Sequence, residues 1–306
     1  GCLCSGLLTG LAKPWKRHTI DSSSQAAGKL GADGVRLADV NGDGLLDITT
    51  GWEQGGAIVV YQNPGPAKAR AAWPSVTVGR VVSPEDAMFI DLDNDGNLDV
   101  VSSCEGSART MYIHWAPPKR ADYWNPSAWR TEAIPATKGK QLWMFAAPAR
   151  LDCRGADELF VSSKGGNASI GFLVRKDPDL LARDAGGFEY VKLRSAGWIM
   201  TREPLDMDGD GDTDLIYSDR RGANRGVGWL ENPGSATIRK PTAWKDHLLG
   251  GQGKEVMFLD AADLDGDDDT DIVCTTRSQQ LLIFKKADTK WDVDTLPNPY
   301  GLPHGK

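Results

Sequence analysis

The sequence predicts an all-β chain of short strands set out in serial four-strand repeats. Three observations carry this. An acidic, glycine-bearing loop recurs along the chain, and a β-branched strand follows each copy. Helical periodicity is nearly absent, apart from one turn within 177–183. Five such repeats in series form the pattern of a five-bladed β-propeller with its acidic loops between the first and second strands of each blade.

The loops come first in the argument. Copies begin at Asp39 (DVNGDGLLDI), Asp91 (DLDNDGNLDV), Asp206 (DMDGDGDTDL) and Asp263 (DLDGDDDTDI). A degenerate copy, RLDCRGADELF, occupies 150–160, and the spacing throughout is roughly 50 to 60 residues. Carboxylates at alternate positions suit Ca²⁺, which takes six to eight hard oxygen ligands. In the first loop Asp39, Asn41, Asp43 and Asp47 offer side-chain oxygens and Leu45 its carbonyl. Gly42 and Gly44 permit the tight turn. The equivalent sets are Asp91, Asp93, Asp95, Asn97 and Asp99; Asp206, Asp208, Asp210, Asp212 and Asp214; and Asp263, Asp265, Asp267, Asp269 and Asp271. Without a cation, carboxylates this close repel one another. In the degenerate copy Arg150 and Arg154 stand at ligand positions, so that blade is expected to hold no ion. About four structural Ca²⁺ ions are therefore expected, bringing about +8 against the formal −7 of the chain.

Each repeat continues alike. A second strand follows a polar turn, as in AIVVYQNPG, TMYIHWAPP, SIGFLVR, GVGWLENPG and LLIFKK. Asn-Pro-Gly or Pro-Pro closes three of these. A last strand opens on an aromatic residue: WPSVTV, WRTEAI, FEYVKL, WKDHLL and WDVDTL. The repeats fall near 33–79, 85–135, 140–194, 198–250 and 254–297, within a single domain over 15–297 flanked by tails at 1–14 and 298–306. A sixth aromatic-led segment, WKRHTI at 15–20, leaves ring closure open: this segment or WDVDTL would be the extra outer strand.

These loops, D-x-[DN]-x-D-G-x-x-D before a strand, resemble the FG-GAP or VCBS repeats of calcium-binding β-propellers, including integrin α-chain heads. The resemblance covers roughly 33–297. It implies structural calcium, and it adds a protein-interaction or assembly platform to the functions worth weighing. The loop differs from an EF-hand, since a strand follows it and no Glu stands at the twelfth position.

The face opposite the acidic loops collects the turns that enter each innermost strand and those that join second to third strands. The entering set carries Asp33 and Arg36, Glu85 and Asp86, Lys140 with Gln141 and Trp143, Trp198 with Arg202, and Lys254 with Glu255. The second set carries Trp52 and Glu53, Glu105 and Arg109, Lys164, Asp219 with Arg220 and Arg221, and Arg277. Mixed charge with Trp at its edge suits a polar or acidic carbohydrate, because sugars stack on Trp and Arg or Lys holds an acidic group. Glu85, Asp86 and Glu255 are the candidate acids and bases of a carbohydrate-active lyase, dehydratase or hydrolase. The ligand-binding candidates are Arg36, Glu53, Glu105, Lys140, Trp143, Lys164, Arg202, Arg220, Lys254 and Arg277. The turns differ from blade to blade, GWEQGG beside SKGGNAS beside DRRGANRG, which favours one asymmetric site over five equal ones.

Composition narrows the rest. A net charge of −7 argues against a nucleic-acid partner. No apolar run approaches the ~18 residues of a membrane span. Cys2, Cys4, Cys104, Cys153 and Cys274 have no metal-site spacing and read as small buried thiols. The opening GCLCSGLLTG reads as an export or lipid-anchor remnant, consistent with a secreted, periplasmic or cell-surface setting. His18 and His247 recur at one place in an outer strand, so neither marks a catalytic triad.

Overall fold

The computed structural model describes residues 16–22, 31–151, 158–177, 180, 182–287 and 290–297. Twenty strands form five four-stranded antiparallel sheets, each in sequence order from an inner to an outer strand. Blade 1 is β1 (Ala32–Ala38), β2 (Asp47–Trp52), β3 (Ala57–Tyr61) and β4 (Ser75–Arg80). Blade 2 is β5 (Pro84–Ile90), β6 (Asp99–Cys104), β7 (Met111–Trp115) and β8 (Arg130–Ala133). Blade 3 is β9 (Leu142–Ala149), β10 (Glu158–Lys164), β11 (Ser169–Arg175) and β12 (Phe188–Ser195). Blade 4 is β13 (Ile199–Leu205), β14 (Asp214–Asp219), β15 (Gly226–Glu231) and β16 (Lys245–Gly250). Blade 5 is β17 (Val256–Ala262), β18 (Asp271–Thr276), β19 (Gln280–Ala287) and β20 (Lys290–Pro297). The fold is that of a five-bladed β-propeller.

Strand alternation explains how the blades stack. Every residue of β5 is buried, because its two faces pack on different neighbours. Ala87 and Phe89 join the apolar cluster shared with blade 1, and Met88 and Ile90 the cluster shared with blade 3. Similar clusters lie between blades 3 and 4, around Phe160, Phe172 and Tyr217, and between blades 4 and 5, around Ile216, Ile272 and Phe284. Each large apolar side chain so buried contributes about 1.5–3 kcal/mol. The aromatic residues that open the outer strands also hold their connections. Trp129 Nε1 donates to the Tyr123 carbonyl (2.8 Å) and Trp244 Nε1 to the Ile238 carbonyl (2.8 Å).

The ends of the array differ from its middle. On β1, Gly34, Arg36 and Ala38 face blade 2, whereas Val35 and Leu37 point the other way and are each 56% exposed. Their counterparts on β5, Ala87 and Phe89, are buried. On β17, Leu259 and Ala261 pack on blade 4, while Phe258 on the opposite face is 56% exposed. The seam between blades 5 and 1 is therefore open among the described residues. Of the two segments between which the sequence left ring closure open, 16–22 lies on blade 1. Trp73 N–H donates to the Ile20 carbonyl (3.0 Å), and Tyr61 Oη donates to Asp21 (2.7 Å). WDVDTL is the outer strand of blade 5. Trp15 itself, Arg154, Cys2, Cys4, Cys153 and both tails lie outside the described residues.

Candidate functional site

The acidic loops join first and second strands on one face. Their residues divide the work. The last acid of each loop, Asp47, Asp99, Asp214 or Asp271, is buried at the start of the second strand. Asp47 accepts from Val40 N–H (3.1 Å) and Asn63 N–H (2.8 Å). Asp99 accepts from Leu92 and Ala116, and Asp214 from Met207 (2.9 Å) and Asn232 (2.7 Å). Each carboxylate thus staples its loop to the turn after the third strand. The Asn of Asn-Pro-Gly completes the lock: Asn232 Nδ2 donates to the Thr213 carbonyl and Asn63 Nδ2 to that of Leu46. Burial pushes Asp99 up to about 8 and Asp214 up to about 6. In the degenerate blade 3 loop the staple survives, since Glu158 accepts from Leu151 N–H at 2.9 Å.

The first acid shapes the loop. Asp39 accepts from the amides of Gly42, Asp43 and Gly44, and those hydrogen bonds hold its pKa down. In three loops, three carboxylates bring oxygens within 4.8 Å of one another: Asp91, Asp93 and Asp99; Asp206, Asp208 and Asp210; Asp263, Asp265 and Asp271. An all-oxygen set of this density fits a hard divalent cation. The loops differ in what already neutralises them. In blade 2 the Arg183 guanidinium from blade 3 reaches Asp93 (3.4 Å) and Asp95 (3.8 Å). In blade 5 Lys285 pairs with Asp265 (2.9 Å) and Lys286 with Asp269 (3.3 Å). Asp206, Asp208 and Asp210 of blade 4 are exposed and crowd Asp212, whose pKa rises through burial and then through their charges. Asn97 does not turn its side chain into the loop; its Nδ2 donates to the Pro118 carbonyl.

On the opposite face, contacts run across four blades. Lys164 pairs with both Glu85 (2.8 Å) and Glu105. Burial, then the hydrogen bond that the Glu85 carboxyl donates to Glu105, pushes Glu85 up to about 8. Burial pulls Lys164 down, but its bonds to Glu105 and Glu85 together outweigh this and raise it. Lys164, Arg220 and Arg221 lie 5.1, 4.5 and 4.9 Å from the centre of the Trp198 ring. Arg220 (3.1 Å), Arg221 (3.7 Å) and Arg277 (3.2 Å) share the single carboxylate of Glu255. The bond from Arg220 leads in holding the Glu255 pKa down.

The other predicted residues lie elsewhere. Trp143 is fully buried in the core between blades 2 and 3 and cannot stack on a sugar, which corrects its placement at a ligand edge. Trp52 is likewise buried, donating from Nε1 to Tyr61 Oη. Arg36, Asp86 and Arg202 meet inside the channel instead of at its mouth. Lys140 lines a recess with Lys192 and Asn167, Lys254 donates to Gln280 (2.6 Å), and Glu53 is half-buried on its turn. His114 is a buried core group, pulled down to about 3 by burial and bonded to Ser102 and Thr131. Sequence reasoning missed Arg183 and Arg120. Arg120 donates to the Gly96 (3.1 Å) and Asn41 (3.4 Å) carbonyls, bridging two acidic loops from a connection between outer strands. Neither belongs to a repeated position that would single it out.

Serial four-stranded blades with acidic inter-strand loops define a β-propeller. The FG-GAP-like repeat model matches residues 39–102 and 206–274, two stretches of the β-propeller. No curated protein matches the sequence. Among solved structures the chain is similar to Saccharomyces cerevisiae Sqt1, with TM-score 0.52 and 8% identity over 92% of this chain and 67% of that one. It is also similar to BBS1N in its complex with ARL6DN, with TM-score 0.51 and 10% identity over 90% and 71%. The catalytic domain of Coprinopsis cinerea GH62 α-L-arabinofuranosidase gives TM-score 0.45 and 12% identity over 91% and 92%. For the first two, at these identities, the likeness is one of fold. Among the described residues no helix is long and apolar enough to cross a membrane.

Proposed function

We propose that this chain is a calcium-stabilised propeller that binds an acidic carbohydrate at its charged mouth. The observation that carries this reading is the sharing of one carboxylate, Glu255, by Arg220, Arg221 and Arg277. Three guanidiniums against one carboxylate leave a local surplus of positive charge on a chain of net −7. Arg221 and Arg277 are half exposed and present planar donors suited to a uronate carboxylate or a sulfate. Arg220, over the Trp198 ring, extends the cationic strip toward blade 3. The cations already lie over the Trp198 ring, so recognition rests on charge and hydrogen bonding more than on stacking.

Calcium enters through the acidic loops, with Asp206, Asp208 and Asp210 as the strongest set. The match to FG-GAP-like repeats supports a secreted or surface setting.

A second reading is favoured by Glu85. Burial raises this carboxyl well above the usual carboxylate range, so it holds a proton more readily and can donate it, with Glu105 and Lys164 beside it. That would make the same face the centre of a carbohydrate-active enzyme.

The test is a screen of neutral, uronate-containing and sulfated oligosaccharides in calcium, scored for binding and for product release by mass spectrometry. Acidic glycans should bind, weaken with salt, and weaken further in Arg221→Ala with Arg277→Ala. Product release lost in Glu85→Gln while binding persists would establish the enzyme. Neutral glycans binding as well as acidic ones would sink the proposal.

A further inference from the structure

Halfway down the channel, one carboxylate ties four innermost strands together. Asp86 on β5 accepts from Arg36 of β1 (3.0 Å) and from Ala146 N–H of β9 (3.3 Å), and Arg202 of β13 lies at 3.7 Å. Arg202 Nη2 donates to the Ala146 carbonyl. This knot needs Gly34: a Cβ there would sit 2.4 Å from Asp86 Oδ1, and Gly34 has φ +56°. The knot divides the channel. The mouth residues lie on one side, and on the other a cavity of about 560 Å³ opens toward the acidic-loop face. Its volume lies within the usual range for small-molecule sites.

The cavity is chemically lopsided. Arg36 and Arg202 both line it, and Arg150 stands at its opening. Leu37, Met88, Ile90 and Pro148 form an apolar stretch of its wall, and Asp91 and Asn94 line it beside the acidic loop of blade 2. Two guanidiniums share the one carboxylate of Asp86 within the knot. Arg202 is buried, its side chain 6% exposed, and its Nε has no hydrogen-bond partner. A buried cation with an unpaired donor is costly unless an anion completes it. None of these residues belongs to the cationic strip at the mouth.

We propose that this cavity binds a small organic carboxylate with an apolar body. The carboxylate lies against Arg36 and Arg202, and the body runs along Leu37, Met88, Ile90 and Pro148. Charge selects the anion, and the apolar stretch selects against a fully hydrated inorganic one.

The probes are octanoate, octanol and inorganic phosphate, titrated calorimetrically into the calcium-loaded full chain. Octanoate should bind, with octanol and phosphate at least about tenfold weaker, the size of one charge-assisted hydrogen bond. Arg202→Met and Arg36→Met should each weaken octanoate about tenfold or more. Asp86→Asn removes the competing anion and should tighten it. Arg36 is part-exposed, so its variant keeps the test decisive if either buried replacement fails to fold. Arg221→Ala at the mouth should leave octanoate binding unchanged, which separates this site from the glycan site. No octanoate binding, equal binding of octanol or phosphate, or indifference to Arg36→Met would each overturn the proposal.

Discussion

Replacing Asp214 by Ala separates the two roles that the acidic loops combine. Asp214 is buried, and its oxygens accept from the buried amides of Met207 and Asn232. The truncation orphans both N–H groups. Each buried unsatisfied donor costs about 1–3 kcal/mol, so the pair costs about 2–6 kcal/mol. At about 2–4 °C for each kcal/mol, the melting temperature should fall by about 4–24 °C. The loss comes from backbone groups and must persist in excess chelator. Asp208→Asn is the contrast. Asp208 is exposed and belongs to the carboxylate cluster, so its replacement relieves repulsion in chelator and costs stability only in calcium. Calorimetric melts of wild type and both variants, each with calcium and with chelator at pH 8, give six numbers. If Asp214→Ala melted within about 2 °C of wild type in chelator, the staple would be refuted.

Two further outcomes follow from the same geometry. Arg183→Gln removes the guanidinium beside Asp93 and Asp95, so the blade 2 loop should take calcium more tightly; competition with a chromophoric chelator reads this, and unchanged affinity would mean that Arg183 does not compete. Glu85 is raised from 4.5 to about 8, so its contribution to stability is full below about 4.5 and is lost as pH rises through about 8. Glu85→Gln should flatten the denaturant midpoint across that window, and an unaltered pH profile would refute the assignment.

The acidic loops and the aromatic-led strands were legible in the sequence because they recur in every blade, and recurrence survives local variation. The mouth was only half legible. Trp143 lies seven residues before Arg150, and Trp198 lies eight before Asp206. With a side-chain period of two, that single residue sends one ring into the core and leaves the other at the mouth. Register shifts near the start of the inner strands, between Pro84 and Asp86 and between Ile199 and Thr201, add to the difficulty. Counting inward from the loops therefore put Asp86 and Arg202 at the channel mouth, whereas they meet at mid-depth. Arg183 was invisible for another reason: its partners are in the next blade, and no local pattern records them.

The open seam gives the array a polarity that a closed ring would lack. Blades 2, 3 and 4 each share an apolar cluster with a neighbour on both sides, while blades 1 and 5 each share only one. Stability in such an array approximates a sum of intrinsic blade terms and nearest-neighbour terms, so the end blades hold least. The two ends are not equal. Blade 1 gains a second small cluster around Trp52, Val59 and Tyr61, and Ile20 and Asp21 bond to it. Blade 5 exposes Phe258 on its inner strand and Val293 and Leu296 on its outer one. Opening should therefore begin at blade 5. Native-state hydrogen exchange should find amides of β19 and β20 exchanging fastest, those of β3 more slowly, and those of β6, β10 and β11 at the global limit. Equal protection in β19 and β10 would mean that the seam is closed in solution and that the array behaves as a ring.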